Sequence, residues 1–184
     1  MDNQKVIKFL ELAGQQTGFD PLAASADLRK LSAQLLLSET LEYIVHGLGV
    51  QLKVGECEIT DPDALTYDVT EKAVDKKEML DGLADVAYTM YWNQVVYNLP
   101  LEEAYALVCD NNLEKFVMIS DWSGPARELE SNEWDLGKDV SWPPEVASVS
   151  VIAVGDEFYA VGKDASGKVR KPSTYQSVDL DPLL

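Results

Sequence analysis

The sequence predicts an all-α bundle with a small β-hairpin insertion near the C-terminus, and three observations carry that prediction. Apolar residues recur at helical spacing through most of residues 3–116. Two of the helical segments, 38–46 and 78–85, place acidic pairs three residues apart among leucines and other core-type residues. One short stretch reads instead as a hairpin, Val149–Val154 and Phe158–Val161 around a Gly155-Asp156-Glu157 turn.

Residues 3–17 set Val6, Ile7, Phe9, Leu10, Leu12 and Ala13 mainly on one side of a helix, and Gly18 stops it. Pro21 opens the next segment, since proline is tolerated in a first helical turn. Leu22, Leu28, Leu31, Leu35, Leu41 and Ile44 continue the period until Gly47 and Gly49 end it. Residues 50–71, with Gly55 and several acids, hold no sustained period and read as a connection. A long helical pattern then runs from about Val69 to Leu99. Its aromatic second half, with Tyr88, Tyr91, Trp92 and Tyr97, suits a core or a subunit interface better than base stacking. Pro100 separates it from a helix at 101–108 that has acids in its first turn and runs on toward Phe116.

Beyond Phe116 the composition turns irregular, with Trp122, Pro125, Trp134, Trp142, Pro143 and Pro144, before the hairpin. A basic stretch with Lys163, Lys168, Arg170 and Lys171 and an acidic tail close the chain. Three regions result: 1–116 as an all-α core, 117–162 as an insertion, and 163–184 as a basic segment and tail returning to the core.

The length of 184 residues allows one domain with an adequate core, or one domain plus an appendage. Hydrophobic content of 46% and charged content of 26% are those of a globular protein. With 15 basic against 32 acidic residues the net charge is −17, which disfavours nucleic acid and anionic membranes as partners. No apolar run approaches the ~18 residues that span a bilayer. Asn3, Gln4 and Lys5 lead into an amphipathic stretch unlike a secretory signal, so the expected location is cytoplasmic. Cys57 and Cys109 read as free thiols.

At about 100° per helical residue, Glu39 and Glu42 fall about 60° apart, as do Glu78 and Asp81, with His46 and Asp85 in the same sectors. Such pairs are commonplace on solvated faces. Converging in an apolar setting, however, these carboxylates need a counter-charge. A hard cation supplies it, Mg²⁺ foremost and Mn²⁺ as the alternative ion. Asn112 and Lys115, three apart, are surface groups in isolation and phosphate or sugar contacts beside a metal. A di-iron bundle is a separate alternative, but it expects Glu-x-x-His on two helices, and the single His46 follows Glu42 by four residues.

Residues 36–50, Leu-Leu-Ser-Glu-Thr-Leu-Glu-Tyr-Ile-Val-His-Gly-Leu-Gly-Val, resemble the first metal-binding helix of the MazG-like all-α nucleoside triphosphate pyrophosphohydrolases, in the phosphoribosyl-ATP pyrophosphohydrolase-like branch. That helix carries Glu-Glu-x-x-Glu, and a later one carries Glu-x-x-Asp, as in Glu78-Met79-Leu80-Asp81. Leu99–Ala104, the stretch from Val108 through Asn112 to Lys115, and Gly167–Tyr175 are similar to further segments of that branch, so the resemblance covers 1–116 and 163–180.

The resemblance implies hydrolysis of a nucleoside triphosphate between its α- and β-phosphates in a homodimer or homotetramer. It further implies Mg²⁺ held by Glu39, Glu42, Glu78 and Asp81 with Asp85 beside them, and Glu39 or Glu42 as the base acting on a metal-bound water. Asn112, Lys115, Lys168 and Lys171 would contact phosphate or sugar. Ser38 stands where the family has its first Glu, which leaves a catalytically weak nucleotide-binding or regulatory protein as one alternative and phosphoribosyl-ATP hydrolysis as another.

Overall fold

The computed structural model describes residues 3–18, 20–59, 61 and 65–184. Its helices are α1 (Gln4–Leu12), α2 (Ala26–Glu42), α3 (Lys76–Tyr97) and α4 (Leu101–Leu113). Its strands are β1 (Leu52–Val54), β2 (Cys57–Ile59), β3 (Val117–Met118), β4 (Arg127–Glu128), β5 (Val146–Val154), β6 (Glu157–Asp164) and β7 (Val169–Arg170). The chain divides into two compact units, Met1–Thr17 with Ala87–Leu184, and Gly18–Val86. Within the connection read at 50–71, residues 60 and 62–64 lie outside the described residues.

The all-α expectation is corrected by a five-stranded antiparallel sheet, ordered β3-β6-β5-β4 with β7 also paired to β6, and by a separate β1–β2 ladder. The fold is mixed α and β. β5 and β6 extend the hairpin read at 149–161 in both directions. A register shift between Val146 and Ser148 inserts one residue, which lets Val146, Val149 and Val151 all be buried although the first is out of step with the other two. The remaining strands are two or three residues long, too short to show a period of two in the sequence.

This sheet is covered on both faces, as the run of buried residues Tyr159, Ala160, Val161 and Gly162 in β6 requires. One face packs Val149, Val151 and Ala160 against Ile119, Leu129 and the indoles of Trp122, Trp134 and Trp142. The irregular stretch after β3 is therefore a second layer of the core. Its indoles find acceptors on nearby backbone: Trp134 Nε1–H donates to Leu129 O at 3.2 Å and Trp142 Nε1–H to Trp134 O at 3.0 Å. Gly162 lets the Trp142 ring lie on the strand, since a Cβ there would fall inside it.

The other face packs Tyr159 and Val161 against Leu12, Ala13 and Phe116. Phe9 meets Phe116 edge-on with centroids 5.2 Å apart. Lys163 Nζ donates to Ala13 O at 2.6 Å, placing a cation where the dipole of α1 is negative. The C-terminal segment returns to α4, where the buried Asn111 accepts from Tyr175 Oη at 2.5 Å and donates to Gln176 O at 2.6 Å.

In the unit Gly18–Val86, Ser25 caps α2, its Oγ accepting from Leu28 N at 3.1 Å. Asp75 opens α3 in the same way, taking the amides of Lys77 and Glu78 at 3.0 and 3.3 Å. α2 buries only Ser38 and Leu41. The 22 residues of α3 include no buried one. Among the described residues, no helix is long and apolar enough to cross a membrane.

Candidate functional site

The carboxylates of Glu39 and Glu42 on α2, and of Glu78, Asp81 and Asp85 on α3, are all exposed. Among the described residues of the single chain, no group of three or more His, Cys, Asp or Glu side chains stands close enough to hold a metal ion. His46 lies in a π-helical turn, Tyr43–Gly47, and is also exposed. Ser38 is buried and turns its hydroxyl back to Leu35 O at 3.4 Å. Of the leucines flanking the acids, Leu41 is buried, while Leu35, Leu36, Leu37, Leu80 and Leu83 are open to solvent, Leu35 at 56%.

At the end of α4, Lys115 Nζ donates to Asn112 Oδ1 at 2.6 Å and lies 5.7 Å from the centroid of the Phe9 ring, so these two residues do meet. Lys171 Nζ sits 4.6 Å from the centroid of Tyr175, whose hydroxyl is bound to Asn111. Lys168 is exposed and gives its backbone N–H to Asp164 Oδ1 at 3.0 Å. Asp164 organises that turn. It accepts from Ser166 Oγ at 2.7 Å and from Arg170 Nη2 at 2.7 Å. The Ser166 hydroxyl first, then the surrounding amides and Arg170, hold its carboxyl down at about 2.

A hollow does form in this chain, and of the residues singled out in the sequence as site residues only Glu78 lines it. In the unit Gly18–Val86, an open groove of about 700 Å³ has the apolar walls Leu28, Val74 and Met79. Arg29 and Thr70 line it and also line an adjoining hollow of about 380 Å³ that includes Lys30 and Tyr67. The Arg29 Nε–H and the Tyr67 hydroxyl are buried there and find no hydrogen-bond partner. Of the chain's three arginines, Arg127 pairs with Glu133 and Arg170 with Asp164; Arg29 is the one left over among the described residues. The sequence signal was faint: an Arg-Lys pair inside the Leu28–Leu31 run, in the opening turn of a helix where a cation opposes the dipole.

Comparison with known proteins corrects the family expected from the motifs. The chain matches no family model and no solved structure. It is similar to the A chains of glutamyl-tRNA(Gln) amidotransferases. The one from Thermoanaerobacter pseudethanolicus is 30% identical over 87 residues, 47% of this chain and 18% of the relative. That of Solidesulfovibrio magneticus is 34% identical over 64 residues, covering 35% and 13%. That of Limosilactobacillus reuteri is 28% identical over 165 residues, covering 87% and 32%.

The chain thus spans less than a fifth of the first of these relatives and about a third of the last. The MazG-like assignment, and with it the nucleoside triphosphate pyrophosphohydrolase activity, the enzyme class and the two alternatives drawn from that family, are overturned by these matches and by the mixed fold. The physical reason lies in the motif. Acids three apart on a helix are as natural to a solvated face as to a metal site, and here all five are solvated.

Proposed function

We propose that the chain is a self-associating module whose exposed helical rows are covered by a second copy. α3 carries the reading. Met79, Leu83 and Val86 follow one another at i, i+4, i+7, and Tyr88, Trp92 and Val95 repeat that spacing farther along on the opposite side of the helix, all of them exposed. Leu31 and Leu35 give α2 a comparable row. Leu80 is 73% and Val95 78% exposed, so little of this surface is used within the chain. Fully covering a side chain of this size contributes about 1.5–3 kcal/mol. Covering half a dozen offsets an association cost of roughly 4–15 kcal/mol. Apolar rows of such extent mark interaction surfaces. The test is the mass of the full chain in solution, for wild type and for Leu83→Glu with Trp92→Glu. Association lost in the double variant while its helical signal persists supports the reading, and a wild type that stays single opposes it.

A second reading, that the protein serves amide chemistry, is favoured by the similarity reaching across 165 residues to the A chain of a glutamyl-tRNA(Gln) amidotransferase. Its test is ammonia release from a panel of carboxamides, glutamine included. Turnover above that of a heat-denatured control supports it, and no release from the associated form opposes it.

A further inference from the structure

We propose that the hollow between the start of α2 and residues 66–70 binds a small molecule through an oxyanion, carboxylate or phosphate, gripped by Arg29 and Tyr67. A guanidinium N–H that is buried and unpaired is among the more costly features a fold can keep, because it has left water without gaining an acceptor. The Tyr67 hydroxyl, buried and unpaired in the same hollow, doubles the anomaly. Neither is explained by local stability. Asp27 would suit the first turn of α2, whereas Arg29 works against its dipole.

Both residues line the smaller hollow, and both are hydrogen-bond donors. The guanidinium presents parallel N–H groups that fit a carboxylate or phosphate edge, and the phenol adds a further donor. Other charges around the hollow are largely committed. Lys30 lies 3.5 Å from Asp68, whose side chain is 96% exposed. Asp75 is spent on the amides that open α3. Asp75 and Glu78 line the larger groove, and the one carboxylate lining the smaller hollow, Asp68, is turned to solvent beside Lys30, so the favourable position for an anion is the Arg29 and Tyr67 side. The larger groove, walled by Leu28, Val74 and Met79, accepts an apolar body joined to that anion. The ligand class is therefore a small molecule with an oxyanion at one end and a hydrophobic part at the other. The smaller hollow contains none of the docking-row residues, whereas the larger groove shares Met79 with them.

The experiment is calorimetric titration of the full chain with sodium hexanoate and, separately, with phenyl phosphate. Saturable binding of either, one per chain, is expected, and the tighter probe tells whether the natural head group is a carboxylate or a phosphate. Arg29→Met should weaken that binding by about 10- to 100-fold, the range for losing a charged hydrogen bond. Tyr67→Phe should weaken it several-fold while leaving the thermal midpoint of the free protein unchanged or raised, since it removes an unpaired hydroxyl. That combination separates a ligand contact from a structural one and serves even if Arg29→Met folds poorly. Failure of both probes to saturate, or unchanged affinity in Tyr67→Phe and Arg29→Met, overturns the proposal.

Discussion

Single residues in the sheet unit carry consequences that can be measured one at a time. Gly162 has an ordinary backbone conformation, and it is glycine because Trp142 lies where a Cβ would go. Gly162→Ala should therefore destabilise by about 1–3 kcal/mol, read as a lower denaturant midpoint, because the ring must shift or the strand must bend. Leu12 is fully buried between α1 and the sheet, so Leu12→Ala should cost about 2–5 kcal/mol in the same measurement.

Asp164 makes a prediction about pH. Its carboxyl is held at about 2, below the ordinary 3.8. A group depressed in the folded state contributes stability that is complete above its unfolded pKa and lost as pH falls through the folded one. The stability gap between wild type and Asp164→Asn should thus be constant at neutral pH and close as pH drops from 3.8 toward about 2. A gap undiminished between about pH 5 and pH 2 would contradict the hydrogen-bonded turn. Little of this was legible beforehand. A glycine gives no sign of a tryptophan 20 residues earlier, and the basic stretch at 163–171 gives no sign that Arg170 is committed to Asp164.

At the scale of elements, helices were legible and their surroundings were not. Spacing of apolar residues located α1, α2, α3 and α4, although the long helix begins at Lys76, where Asp75 caps it, instead of near Val69. Periodicity states which residues share a face, but not what covers that face. Leu31 and Leu35 keep the helical period and are exposed, while the tryptophan-bearing stretch, expected as part of an insertion, forms one side of a core. β3, β4 and β7 acquire their character only from pairing with β5 and β6, so no local signal could reveal them. The candidate hollow escaped for the same reason. Arg29 and Tyr67 are 38 positions apart in the chain, and only the fold puts them in one wall. The helical rows predict that Leu83→Glu with Trp92→Glu leaves far-ultraviolet circular dichroism unchanged and abolishes association, because Leu83 and Trp92 are both exposed within the chain.

For the molecule as a whole, charge and apolar surface act in opposition. A net charge of −17 on each copy repels another copy, and the repulsion is screened over about 10 Å at 0.1 M salt and about 3 Å at 1 M. Association through the helical rows should therefore strengthen as salt is raised, the opposite of an interface built on ion pairs. Sedimentation equilibrium of the full chain across a salt series is the most direct measurement. A mass at least twice the 20.4 kDa of one chain, rising in population with salt and reverting to 20.4 kDa in the Leu83→Glu, Trp92→Glu variant, is the predicted result. A wild-type mass of 20.4 kDa at every concentration and salt would contradict it.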